Sequence, residues 1–204
     1  MLRSITFVVV AAFSLPAFAA QGDDPDWPCI QRKVPQLSIG QIWTGTELPP
    51  AATDWSNDAR VSALVEELAA RRLAVSEAQK NIGDLAKTLA EGEKQRQLTM
   101  LVQGLFDQMN RERSHVIEGI GRYANKQRQM AEALRQEASA VDALRAKPDA
   151  DAKEFTVRQD RLMFETRVFQ ERVQSLSFVC EVPTLIEQRL YALVKSIAEA
   201  LSEK

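Results

Sequence analysis

Residues 93–147 read EKQRQLTMLVQGLFDQMNRERSHVIEGIGRYANKQRQMAEALRQEASAVDALRAK, with no proline in the run. Apolar residues recur at Leu98, Val102, Leu105, Met109, Val116, Ile120, Tyr123, Met130, Leu134, Ala138, Val141 and Leu144. Most steps are three or four residues, which is the mark of a coiled-coil-like seam on one helix. Arg113 and Gln127 fall near stripe positions, and Gly104, Gly119 and Gly121 interrupt the run. At 1.5 Å per residue the segment predicts a rod of roughly 80 Å, and such a helix has to bury its stripe against a partner.

The partner follows directly. Lys147-Pro148-Asp149-Ala150-Asp151 reads as a turn ending in an aspartate cap, and a return helix over about 151–179 carries Phe155, Leu162, Phe169, Val173 and Leu176. Pro183 is expected to interrupt it, because proline lacks the helical N–H donor. A last helix over about 184–203 then carries Leu185, Leu190, Leu193, Val194, Ile197 and Leu201. The outgoing and returning lengths match, so the expected fold is all-α: a long antiparallel helical hairpin, kinked on its return side.

Upstream of the hairpin, Ser56, Asn57 or Asp58 can cap a short helix over about 57–72, with Val61, Leu64, Val65 and Leu68 on one face. Ser76 and Gln79 have capping-box spacing and predict a second short helix over about 76–90. The helical domain thus spans 55–204. Residues 20–54 differ in texture, with Pro25, Pro28, Pro35, Pro49 and Pro50 spread along them. That density of proline predicts an extended arm laid on the helical body.

The chain starts MLRSITFVVVAAFSLPAFAA. Arg3, the apolar run from Ile5 to Leu15 and Ala17-Phe18-Ala19 form the three regions of a signal peptide, which predicts cleavage near Ala19 and a periplasmic or secreted product. The apolar run is too short to span a bilayer, and no later stretch is long enough. In an oxidising compartment Cys29 and Cys180 most simply pair with each other, an intermolecular bridge or two free thiols being the alternatives. Counting back along the hairpin from Cys180 places its opposite near Glu118. The arm is therefore expected to cross beside Gly119 and Gly121, unless those glycines merely loosen the helix.

Composition narrows the chemistry. The 204 residues hold 26 Lys plus Arg, 28 Asp plus Glu, one His and two Cys. Loss of Arg3 with the leader leaves a mature net charge of −3, which lacks the basic surplus of a nucleic-acid binder. Glu112 and His115 have Glu-x-x-His spacing, but a di-metal bundle needs a second copy and there is no second His. No nucleophile elbow or phosphate loop is present, and no cofactor is implied.

Trp27, Trp43 and Trp55 are the only tryptophans and sit in or beside the arm. They are a candidate interaction surface, with anchoring of the arm as the plainer role. The expected function is that of an exported, non-enzymatic interaction or scaffolding protein, holding an unknown envelope protein or dimerising through leftover apolar stripe. The alternatives are a periplasmic holdase-type chaperone and, last, an unidentified enzyme.

Overall fold

A computed structural model describes residue 24 and residues 26–203. The predicted signal peptide lies outside the described residues. The elements are a one-turn helix α1 (Ile39–Ile42), a 3-10 helix (Pro50–Asn57), α2 (Ala59–Ala69), α3 (Val75–Thr88), α4 (Glu91–Arg145) and α5 (Ala152–Ser202). There is no strand among the described residues, and α4 packs against α5 as the expected hairpin.

Two offset heptad columns make the seam. On α5 the column is Phe155, Leu162, Phe169, Leu176, Pro183, Leu190 and Ile197, each seven residues from the next, so all fall on one face of a gently supercoiled helix. On α4 it is Phe106, Arg113, Ile120, Gln127, Leu134 and Val141. The two polar members behave differently. Arg113 is buried and donates from Nε to Glu187 Oε1 at 2.5 Å and from Nη1 to the Val34 carbonyl at 2.5 Å. Gln127 is 7% exposed, and neither its amide nitrogen nor its oxygen meets a hydrogen-bond partner.

At one end α2, α3 and the 3-10 helix pack on the start of α4 and the end of α5. This base holds the largest core, centred on Val65, Leu68, Ile82, Leu101, Leu105 and Leu190. Beyond it the N-terminal arm lies along the hairpin as far as Arg128, and from there the hairpin continues as two helices to the turn at 146–151. Asp151 caps α5 by accepting from the Lys153 and Glu154 amides. Arg189 ties base to hairpin: its guanidinium is buried and donates to the carbonyls of Leu68 (2.7 and 3.1 Å) and Leu73 (2.8 Å). Those carbonyls belong to the end of α2 and its turn, where intrahelical donors have run out.

Three expectations are corrected. The return side is one helix, Ala152–Ser202, with Pro183 inside it, rather than two helices split at 180–183. Residues 20–54 are not uniformly extended, because α1 and the start of the 3-10 helix fall among them. The Ser76/Gln79 capping box does not form; α3 starts at Val75 with no side-chain cap, and Gln79 instead donates to the Ala192 carbonyl at 3.3 Å. The aspartate cap of the first short helix is present, Asp58 accepting from the Arg60 and Val61 amides at 3.1 Å each.

Close packing demands glycine at Gly45, where a Cβ would run into the Trp43 ring, and at Gly104. At Gly104 a Cβ would lie 2.5 Å from Val65 Cγ2 and 2.9 Å from the Trp55 ring. At Gly121 a Cβ would sit 3.5 Å from the Asp26 carbonyl oxygen, ordinary contact, and at Gly119 the nearest atom is Arg122 Nη2 at 3.8 Å. The arm does cross there, but neither glycine is needed for clearance.

Two predictions follow from this packing. Gly104→Ala should destabilise the chain by about 1–3 kcal/mol through overpacking, whereas Gly119→Ala should stabilise it by about 0.5–1 kcal/mol through helix propensity. Equilibrium urea unfolding reads both signs. Secondly, hydrogen bonds from Arg96 and then Gln97 hold Glu93 down to about 2, and Arg96 also reaches Asp58 at 3.0 Å. A carboxyl lowered on folding stabilises above its unfolded pKa and loses that contribution as pH falls. The wild type should therefore lose stability between about pH 4.5 and 2, and Arg96→Met should flatten that window in acid unfolding followed by circular dichroism.

Candidate functional site

Cys29 and Cys180 form a disulfide, with Cα atoms 5.5 Å apart. Both are buried against Ile120 of α4, with Trp27, Val116 and Leu176 around them. Ile120 lies two residues from the position that hairpin counting assigned. The arm is zipped to α4 on either side of this staple. Asn110 exchanges two hydrogen bonds with the Leu37 backbone (3.1 and 3.3 Å), Ser114 Oγ donates to the Pro35 carbonyl (2.9 Å), and Arg128 pairs with Asp26.

The staple sits at the weak point of α5. Pro183 has no N–H to offer the Val179 carbonyl one turn back. In the same turn the Gln31 amide donates to the Cys180 carbonyl, and Trp27 holds Gln31 by donating to its carbonyl at 2.6 Å. The arm thus supplies a covalent bond and a polar contact where the helix is least able to hold itself.

The three tryptophans are not brought together into one patch. Trp43 is buried in the base core and donates to the Thr46 carbonyl at 2.6 Å. Trp55 packs on the same core and donates to Asp107 Oδ2 at 3.0 Å. Trp27 belongs to the disulfide cluster. Each ring buries its face and satisfies its indole N–H within the chain, so the geometry is that of three anchors. Glu112 faces Arg71 at 3.1 Å, His115 is exposed, and among the described residues no group of three or more His, Cys, Asp or Glu could hold a metal ion.

What the sequence reading missed is on the outer face of α5. Val157, Met163, Phe164, Phe178 and Leu185 are between 56% and 73% exposed. Val157, Phe164, Phe178 and Leu185 keep heptad spacing, with Glu171 in the missing place, and stand two residues out of phase with the buried column. Two residues are about 200° of helix, so this second column faces away from α4. Val173 and Leu185, expected in the buried stripe, are 47% and 56% exposed. The signal that would have found this face is an apolar repeat of seven beside another repeat of seven on one helix. Arg167 stacks over Phe164 with 5.7 Å between guanidinium carbon and ring centroid, which covers one ring only partly.

An open groove of about 630 Å³ lies between arm and α4, lined by Lys33, Gln36, Ser114, Glu118 and Arg122 among others. Its walls carry both signs of charge and it is not enclosed. Comparison with protein-family models, with curated proteins and with solved structures gives no match. Among the described residues no helix is long and apolar enough to cross a membrane.

The staple generates a prediction. Replacing both Cys29 and Cys180 by Ala should lower unfolding stability by about 5 kcal/mol, the loop-entropy value for so long a closure. It should also speed proteolysis at Arg32 and Lys33 while leaving the helical circular dichroism largely intact. An unchanged urea midpoint would contradict a stabilising role for the Cys29–Cys180 bond.

Proposed function

We propose that this chain is an exported, non-enzymatic interaction or scaffolding protein of the cell envelope that acts through the surface of its helical hairpin. The observation that carries this reading is the exposed apolar column on α5. Large apolar side chains in a row on a rigid element are costly to leave in water, and a face of this kind marks a docking surface. The leader-like first twenty residues and the Cys29–Cys180 pair support export into an oxidising compartment. The fixed partners of the polar groups support a structural use of the arm junction: Arg113 is committed to Glu187 and Val34, and Glu112 to Arg71.

A holdase-type chaperone for unfolded envelope proteins is the second reading. It is favoured by Met163 next to Phe164 on a slender two-helix arm, since flexible methionine beside aromatic rings suits varied clients.

A photo-crosslinking amino acid at position 178 tests the docking reading in cells making the full chain. It should give a discrete adduct, while the same probe at Lys87, exposed on α3, gives none. A ladder of many adducts at 178 would favour the chaperone. Equal or absent adducts at both positions would contradict the docking reading.

A further inference from the structure

The outer column of α5 has an internal symmetry. Taken in reverse about Glu171 it maps onto itself: Val157 onto Leu185 and Phe164 onto Phe178. A surface that is its own match under a two-fold rotation is what an isologous dimer requires, because residue i then meets j while j meets i. We propose that the occupant of this face is a second copy of the chain, docked antiparallel through α5 with the two-fold axis at Glu171. The proposal rests on the docking reading above and names the partner of the same face.

In that arrangement the two phenylalanine layers sit symmetrically on either side of the axis, each pairing Phe164 of one copy with Phe178 of the other. Aromatic pairs at the middle of an interface supply its anchoring contacts. Val157 against Leu185 closes each end, placing the slender hairpin tip of one copy beside the base of the other.

The axis itself carries charge. Two Glu171 carboxylates face each other there, which alone would repel. Each has an arginine one turn away, Arg167 Nε lying 3.8 Å from Glu171 Oε1 within the chain. Antiparallel docking brings the second copy's Arg167 to the other side of the same carboxylate, so the axial layer holds two acids and two bases and is neutral. A single polar layer in an apolar seam fixes register at some expense of affinity. Four apolar residues per copy plus flanking atoms amount to an interface on the order of 1,000 Å², the lower bound for a specific pair. A reversible dimer in the micromolar range is the expectation. It is a rod of about 90 Å with one base at each end, which gives a scaffold two equivalent ends.

Lysine cross-linking and sedimentation velocity on the purified, disulfide-bonded chain test this together. Sedimentation from low micromolar to several hundred micromolar should show the mass rising toward twice the monomer. Phe164→Asp and Phe178→Asp, both at exposed positions, should each weaken association by about tenfold or more with unchanged circular dichroism. Glu171→Leu should strengthen it. Orientation is read from Lys153 near the tip and Lys195 in the base. They lie about 63 Å apart along one α5, beyond a lysine cross-linker, yet within about 10 Å in height across the antiparallel pair. A Lys153–Lys195 peptide in the dimer band is therefore expected.

A monomer at all concentrations, a dimer indifferent to both aspartate variants, or a dimer giving Lys153–Lys153 peptides in place of Lys153–Lys195 would overturn the proposal. The position-178 photo-crosslink separates the two levels. A monomer that still gives an adduct containing another polypeptide leaves the docking reading standing without the dimer, and a monomer with no adduct removes both.

Discussion

A 55-residue helix cannot hide its own apolar stripe, and the rest of this molecule is arranged around that constraint. α5 answers it with an apolar or proline residue at every seventh position from Phe155 to Ile197. At the base the pair is thickened by α2 and α3, and the core there is closed to solvent, with Val65, Leu98, Leu105, Leu190, Leu193 and Ile197 at 0% exposure. Along the hairpin beyond the base only two helices share the task, so most seam residues are half-buried. The two polar members of the α4 column divide accordingly. Arg113, near the base, has the N-terminal arm and Glu187 to satisfy it; Gln127, farther out along the hairpin, has no hydrogen-bond partner for its side-chain amide, at a cost in stability.

Pro183 is the second constraint. In mid-helix it removes a donor and crowds the preceding turn, an expense of about 3 kcal/mol or more when nothing compensates. Here the N-terminal arm lies against that turn, joined by the Cys29–Cys180 bond and by Gln31 on the Cys180 carbonyl. Buried packing of Pro183 itself in the seam column adds to this. The consequence reaches beyond local stability. Because α5 runs unbroken through residue 183, Leu185 stays in line with Phe178, Phe164 and Val157. Had the helix broken there, the outer apolar residues would lie on two unrelated faces and no continuous apolar column would exist.

The hairpin was legible in the sequence because periodicity over fifty residues is a strong signal and turn chemistry at Pro148 to Asp151 punctuates it. The disulfide was legible as a pairing, since two cysteines in a chain with a leader-like start leave few options. The continuity of α5 was not, because local rules assign proline a break and the compensation comes from Gln31 and Cys29, some 150 residues away in sequence. The need for glycine at 104 was missed for a similar reason: Gly104 meets Val65 and Trp55, a contact between segments whose relative placement no single-helix pattern contains. The tryptophans read as a cluster because they are close in sequence, yet their rings divide between two cores. The outer column went unseen because one repeat of seven on α5 already explained the helix, and a second, two residues out of phase, registers only once the first is known to face α4.

The whole arrangement depends on α5 being one continuous helix across Pro183, holding its two apolar columns on opposite faces. The most direct test is an electron-spin distance between labels at Arg167 and Lys195, both exposed and 28 residues apart on α5, with labelled chains diluted in unlabelled ones so that only distances within one chain are read. An unbroken helix predicts a single narrow distribution near about 42 Å between the backbone sites. A distribution that is much shorter or broad would show a break at the proline and would contradict a continuous α5.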